Sequence, residues 1–118
     1  MIYNVIVSLG SNTLPAAHIQ WACERLLTTY DDVRFSRKLW TTDIRGNDIW
    51  YINRLATFRT SLLLADLEAE LKAIESETGR NTHQVTLDID VMQYGDQRYH
   101  LKDWPRPYIQ LLLPDIEP

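Results

Sequence analysis

Hydrophobic spacing switches period along this chain in a fixed order, and that order limits the folds open to it. Residues 3–9 (YNVIVSL) are β-branched and aromatic and stop at Gly10-Ser11-Asn12, as a strand running into a turn does. From 16 to 29, Ile19, Ala22, Cys23, Leu26 and Leu27 recur at helical spacing behind Pro15. Residues 33–40 and 51–60 return to strand alternation, separated by a polar, glycine-bearing stretch at 41–50 (TTDIRGNDIW) that reads as an irregular loop. Ser61, or a residue just after it, is expected to open a second helix. Its inner face is Leu64, Leu67, Leu71 and Ile74; its outer face carries Glu68, Lys72, Glu75, Glu70 and Glu77, and Gly79 stops it. Residues 85–94 form another strand, Gly95-Asp96 a turn and 97–101 a returning strand. A proline-bearing segment, DWPRP, then leads into 108–113.

The order is β-α-β-β-α-β with additions at the C-terminal end. It predicts an α+β fold, the ferredoxin-like βαββαβ arrangement: an antiparallel sheet with two helices on one face and the other face left for loops and a ligand. The 118 residues suit one domain, 1–118. Hydrophobic residues at 45% and charged residues at 24% exclude a disordered chain. A net charge of −4 argues against a general nucleic-acid binder. The start, MIYNVIVSLGSN, lacks the basic and apolar regions of a secretion signal, and no apolar run approaches the ~20 residues of a membrane span, so a cytoplasmic protein is expected. Cys23 is the single cysteine, which rules out an internal disulfide framework and leaves a packed helical residue as the expectation.

One strand breaks the apolar pattern. In Thr86-Leu87-Asp88-Ile89-Asp90-Val91 the period of two places both carboxylates on one face and Leu87, Ile89 and Val91 on the other. Like charges this close raise each other's pKa unless a cation lies between them. Hard oxygen ligands in a pair suit Mg²⁺, which takes one or two carboxylates together with substrate phosphates. The alternative is an acidic row that keeps a sheet face wet. His18, His83 and His100 have no metal-ligand spacing and read as surface or loop residues.

Five segments in order, SLGSN, LWTTDIRG, YINRLATFRTSL, ELKAIESETGR and TLDIDVMQYGD, resemble the 6-hydroxymethyl-7,8-dihydropterin pyrophosphokinases. In that family the corresponding patterns look like ALGSN, LYETxPxG, YLNxxxxxxTSL, IExxxGR and TLDLDILLYGD. The resemblance covers nearly the whole chain. It implies a ferredoxin-like fold and transfer of a pyrophosphoryl group from ATP to the pterin hydroxymethyl group, on the folate pathway, with two Mg²⁺ ions. By resemblance Asp88 and Asp90 hold the metal, Thr42, Tyr51 and Asn53 bind or border the pterin, and Tyr108 stands where the family stacks a phenylalanine on it. Trp40 or Trp50 could add an aromatic wall. Arg80 and Arg106 match family arginines near the triphosphate, so Arg80, Asp88, Asp90 and Arg106 form the implied catalytic set. A solvated surface charge is the alternative for each arginine. The implied partners are small molecules, pterin and ATP, with no nucleic acid and no membrane, in a monomer or homodimer.

The sequence also departs from the family. Only residues 81–85 (NTHQV) separate Arg80 from Thr86, where the family has a longer loop ending in RWGPR. Val85 replaces an arginine, and the loop tryptophan and its other arginine are missing. The VPHP segment is compressed to 102–107 (KDWPRP), and its histidine has no counterpart. Weakened catalysis is one expectation, with Arg80, Arg106, Arg98 or another subunit's residue replacing the lost arginines. The alternative is an inactive relative that binds a pterin, another small heterocycle or a protein.

Overall fold

The structure is a computed structural model, described here for residues 1–42, 48–79 and 84–117. Its elements are β1 (Tyr3–Ser11), α1 (Pro15–Thr29), β2 (Asp31–Phe35), β3 (Leu39–Thr42), β4 (Trp50–Thr60), α2 (Leu64–Glu77), β5 (Asp88–Tyr94), β6 (Gln97–Arg98) and α3 (Pro107–Ile116). All strand pairs are antiparallel, in one open sheet of order β2-β4-β1-β5-β6, with β3 also alongside β4.

Strand alternation gives the sheet two apolar faces. Val5, Val7 and Leu9 of β1 share one with Ala56 and Phe58 of β4 and Ile89 and Val91 of β5. Ile19, Ala22, Cys23 and Leu26 of α1 and Leu67, Leu71 and Ile74 of α2 cover it. Burying each of these large side chains is worth ~1.5–3 kcal/mol. Leu55 and Met92, with the partly buried Ile6, point the other way and pack against Ile109, Leu112, Leu113 and Ile116 of α3. These four are spaced three and four apart, so segment 108–113 belongs to an amphipathic helix. Pro107 suits its first turn. The second face is therefore half-covered by α3, not left open as the sequence pattern suggested.

Five boundaries differ from expectation. The strand at 33–40 divides into β2 and β3 at Ser36. The Ser36 backbone N–H donates to Leu55 O (2.9 Å), while its hydroxyl, not its carbonyl, accepts from Leu55 N–H (2.8 Å). The displaced Ser36 carbonyl takes Arg54 Nε at 2.6 Å. Both ends of the expected 41–50 loop are strand, Thr42 pairing with Trp50; residues 43–47 lie outside the described set. Strand β5 begins at Asp88 because Val85 is held by Asn12: Asn12 N–H donates to Val85 O and Asn12 Oδ1 accepts from Val85 N–H, both at 2.9 Å. The return strand shortens to two residues, and His100 follows with a left-handed φ of 52°. Helix α2 begins at Leu64 with no side-chain cap, so Ser61 does not serve as one.

Candidate active site

Sheet register builds the site. Asp88 pairs with Gly10, and Gly10 with Asn53; Asp90 pairs with Ser8, and Ser8 with Leu55. Side chains within one such row share a face, so both aspartates, Ser8 and Asn53 lie on the α3 side. A cleft of about 230 Å³ opens there. Thr41, Thr42, Tyr51 and Asn53 form one wall and the aspartates the other; Ser8 and Gly10 make the floor. Asp103, Arg106 and Tyr108 come from the lead-in and first turn of α3. The structure thus brings Thr42, Tyr51, Asn53, Asp88, Asp90, Arg106 and Tyr108 to one cleft. Arg80 lies outside the described residues.

The floor is backbone because Gly10 has no side chain. A Cβ there would lie 3.4 Å from Asn53 Oδ1, against the carboxamide. Asn53 Nδ2 donates to Thr41 Oγ1, which leaves its oxygen turned toward the glycine. Asn12 fixes the rim: besides holding Val85, it donates from Nδ2 to the Tyr51 hydroxyl at 3.1 Å. Gly10-Ser11-Asn12, expected as a turn, is strand through Ser11, and it connects β1, β4 and the entry to β5.

The carboxylate pair is electrostatically tense. Burial pushes Asp90 up from 3.8 to about 6, and repulsion from Asp88 adds to it; His100 opposes, and Glu75 reinforces. The His100 imidazole Nε2 stands 3.9 Å from Asp90 Oδ1. Two neighbouring carboxylates on one strand face make a hard-oxygen donor set that fits Mg²⁺ sharing substrate phosphates. Among the described residues no cluster of three or more His, Cys, Asp or Glu could hold a metal by itself.

Arg106 reaches the cleft with its charge already matched. Its Nε donates to Asp103 Oδ1 at 2.6 Å, and both side chains are about 30% exposed. Tyr108, behind that pair, has its phenol pushed up chiefly by burial and then by Asp103.

A second cleft, of about 370 Å³, flanks β5 toward α2. Glu68, Leu71, Lys72 and Glu75 line it with Tyr99 and His100, and Asp88 and Asp90 belong to it as well. The aspartates thus stand between two clefts.

Other candidates fall elsewhere. Trp40 pairs with Ile52 and Trp50 with Thr42, so both alternate out of phase with Tyr51 and Asn53; both are exposed and neither lines a cleft beside the aspartates. Arg98 lies over the Trp104 ring, 3.9 Å from its centroid, and lines neither cleft beside the aspartates. Cys23 is buried, and burial pushes its thiol up. His100, read as a surface or loop residue, is exposed and outside the strands as expected, and it also stands beside Asp90. Glu75, read as part of the outer face of α2, lies instead in phase with Leu71 and Ile74; it is buried and accepts a hydrogen bond from Ile89 N–H at 2.8 Å. Ser8 and Asp103 were also missed. The parity of Ser8 with Gly10 could have found it; nothing local marks Asp103.

With this geometry, one comparison is decisive. The family model of 7,8-dihydro-6-hydroxymethylpterin-pyrophosphokinase (HPPK) matches residues 6–117, and the chain belongs to that family.

Proposed function

We propose that this protein transfers the pyrophosphoryl group of ATP to the hydroxymethyl oxygen of 6-hydroxymethyl-7,8-dihydropterin, with Mg²⁺ as cofactor. A bond forms between that oxygen and the β-phosphorus, the hydroxyl proton passes to solvent, the bond from the β-phosphorus to the α–β bridging oxygen breaks, and AMP leaves with that oxygen. The observation that carries this reading is the position of Asp88 and Asp90, shared by two clefts. A two-substrate transfer needs one group of residues able to face both reactants. Strand order β2-β4-β1-β5, with α1 and α2 on one face, supports reading the scaffold as ferredoxin-like.

The 230 Å³ cleft takes the heterocycle. The Asn53 carboxamide offers a donor and an acceptor to a pterin edge, Thr42 and Tyr51 border it, and the Tyr108 ring supplies the stacking surface. The cleft between α2 and His100 takes the nucleotide, with Lys72 at its margin. Asp88 and Asp90 hold the cations between the two. Mg²⁺, when bound, offsets negative charge on the phosphates as the group transfers. Arg106, and Arg80 beyond the described residues, are the cations assigned to the phosphates.

A second reading, binding without transfer, is favoured by the Asp103–Arg106 pair, which neutralises a cation that the reaction needs. One assay separates them. Purified protein with Mg²⁺, ATP and the pterin is expected to release AMP, and Asp88→Ala and Asp90→Ala to abolish it. No AMP above background, with a pterin-induced rise in melting temperature, would support the binding reading instead.

A further inference from the structure

Among the described residues, Glu75 is the only charged side chain that is buried, at 7% exposure. A carboxylate taken out of water is costly unless its oxygens find donors. Oε1 accepts from the backbone N–H of Ile89, the residue between Asp88 and Asp90. In a strand that amide lies in the sheet plane, while the flanking side chains project from one face. The bond therefore grips the strand at the midpoint of the aspartate pair. It also uses an amide on the α2 side of β5, where the neighbouring strand β6 is only two residues long. The same turn of α2 is anchored a second time. Thr78 Oγ1 donates to Glu75 O (2.7 Å) and stands 2.7 Å from the hydroxyl of Thr86, two residues before Asp88.

We infer that Glu75 is a positioning residue for the carboxylate pair: through the Ile89 amide it fixes the separation and direction of Asp88 and Asp90 toward divalent cations. The inference rests on reading those aspartates as cation ligands. It explains why an inward helical position, four residues after Leu71 and beside Ile74, is held by a glutamate. Leucine would fill the space but leave the Ile89 amide without an acceptor beside two charges. Glu75 acts across the backbone, and its effect passes through groups it does not itself coordinate with.

The test uses Mn²⁺ as probe on the full chain, without nucleotide, with free Mn²⁺ followed by electron paramagnetic resonance. Outer partners of metal ligands typically set affinity by ~10–100-fold, so Glu75→Ala is expected to weaken Mn²⁺ binding by about tenfold or more. Glu75→Gln keeps an acceptor for Ile89 and is expected to restore most of that affinity. A merely structural glutamate would lower the melting temperature of Glu75→Ala and leave Mn²⁺ affinity unchanged. Folded Glu75→Ala with wild-type affinity overturns the inference, and so does Glu75→Gln as weak as Glu75→Ala. Should Glu75→Ala not fold, Glu75→Asp carries the test: its charge remains, one methylene short of Ile89, and the same loss of affinity is expected. No Mn²⁺ binding by the wild type would instead overturn the reading of the aspartates as ligands.

Discussion

Replacing Asp90 with asparagine is expected to make the metal-free protein more stable while removing its metal-dependent activity. Asp90 sits at about 6 against an ordinary 3.8. A raised carboxyl pKa means the folded state holds the proton more tightly than the unfolded state. Its ionisation therefore costs nothing below the unfolded value, destabilises progressively as pH rises from about 4 through about 6, and reaches a plateau above. Roughly two units correspond to ~3 kcal/mol. The side chain is 37% exposed, and solvent screening reduces the penalty to the order of 1 kcal/mol. That is a rise of ~3–5 °C in melting temperature for a domain of this size. The assay is urea unfolding of wild type and Asp90→Asn at pH 4 and pH 7.5, in EDTA. The stability gain should be present at pH 7.5 and shrink toward zero at pH 4. Saturating Mg²⁺ at pH 7.5 should stabilise the wild type and leave Asp90→Asn unmoved. A variant less stable at pH 7.5, or a gain that does not change with pH, would refute the reasoning, since neither follows from a strained carboxylate.

Two further outcomes follow from the cleft. Asp103→Asn removes the charge that holds Arg106 and should tighten Mg²⁺–ATP binding by about fivefold, the order of 1 kcal/mol set by a partly exposed ion pair; calorimetric titration at low salt checks it, and unchanged affinity would mean Arg106 does not reach the phosphates. Gly10→Ala places a methyl 3.4 Å from Asn53 Oδ1 and should weaken pterin binding about tenfold with a stability loss near 1 kcal/mol, a magnitude typical of mild overpacking; equilibrium fluorescence titration with the pterin measures it.

Periodicity was a reliable guide where side chains alternate into a core. β1, β4, β5 and the two long helices followed from it, because Val5, Val7, Leu9 and the α2 leucines face one apolar layer. It failed where a hydrogen bond overrides the pattern. The Ser36 hydroxyl substitutes for a backbone carbonyl, and no hydrophobic count registers that. Asn12 clamps Val85, which delays β5 by three residues from its expected start. α3 lacked a firm assignment because prolines at 105, 107 and 114 obscure its 3–4 spacing. Asp88 and Asp90 were legible because a strand of period two leaves no choice of face. The grouping of Thr42, Tyr51, Asn53, Arg106 and Tyr108 in one cleft followed from resemblance rather than spacing. Glu75 was misplaced because its charge was read as exposure, although its phase, four residues after Leu71 and beside Ile74, is inward.

Helix α3 is the last element in chain order, yet it carries Tyr108 and closes the second core over Leu55 and Met92. Synthesis is vectorial, so α1, α2 and all six strands are available before it emerges. The first apolar layer can assemble while the opposite one is still bare. During that interval the chain presents a sticky surface and an unroofed cleft, a state in which encounter with chaperones or with other nascent chains competes with completion. Docking is then secured by Arg37, which meets Asp115 at 2.8 Å and Leu111 O at 3.1 Å. A ligand that stacked on Tyr108 would bind only the docked arrangement and would stabilise it by mass action.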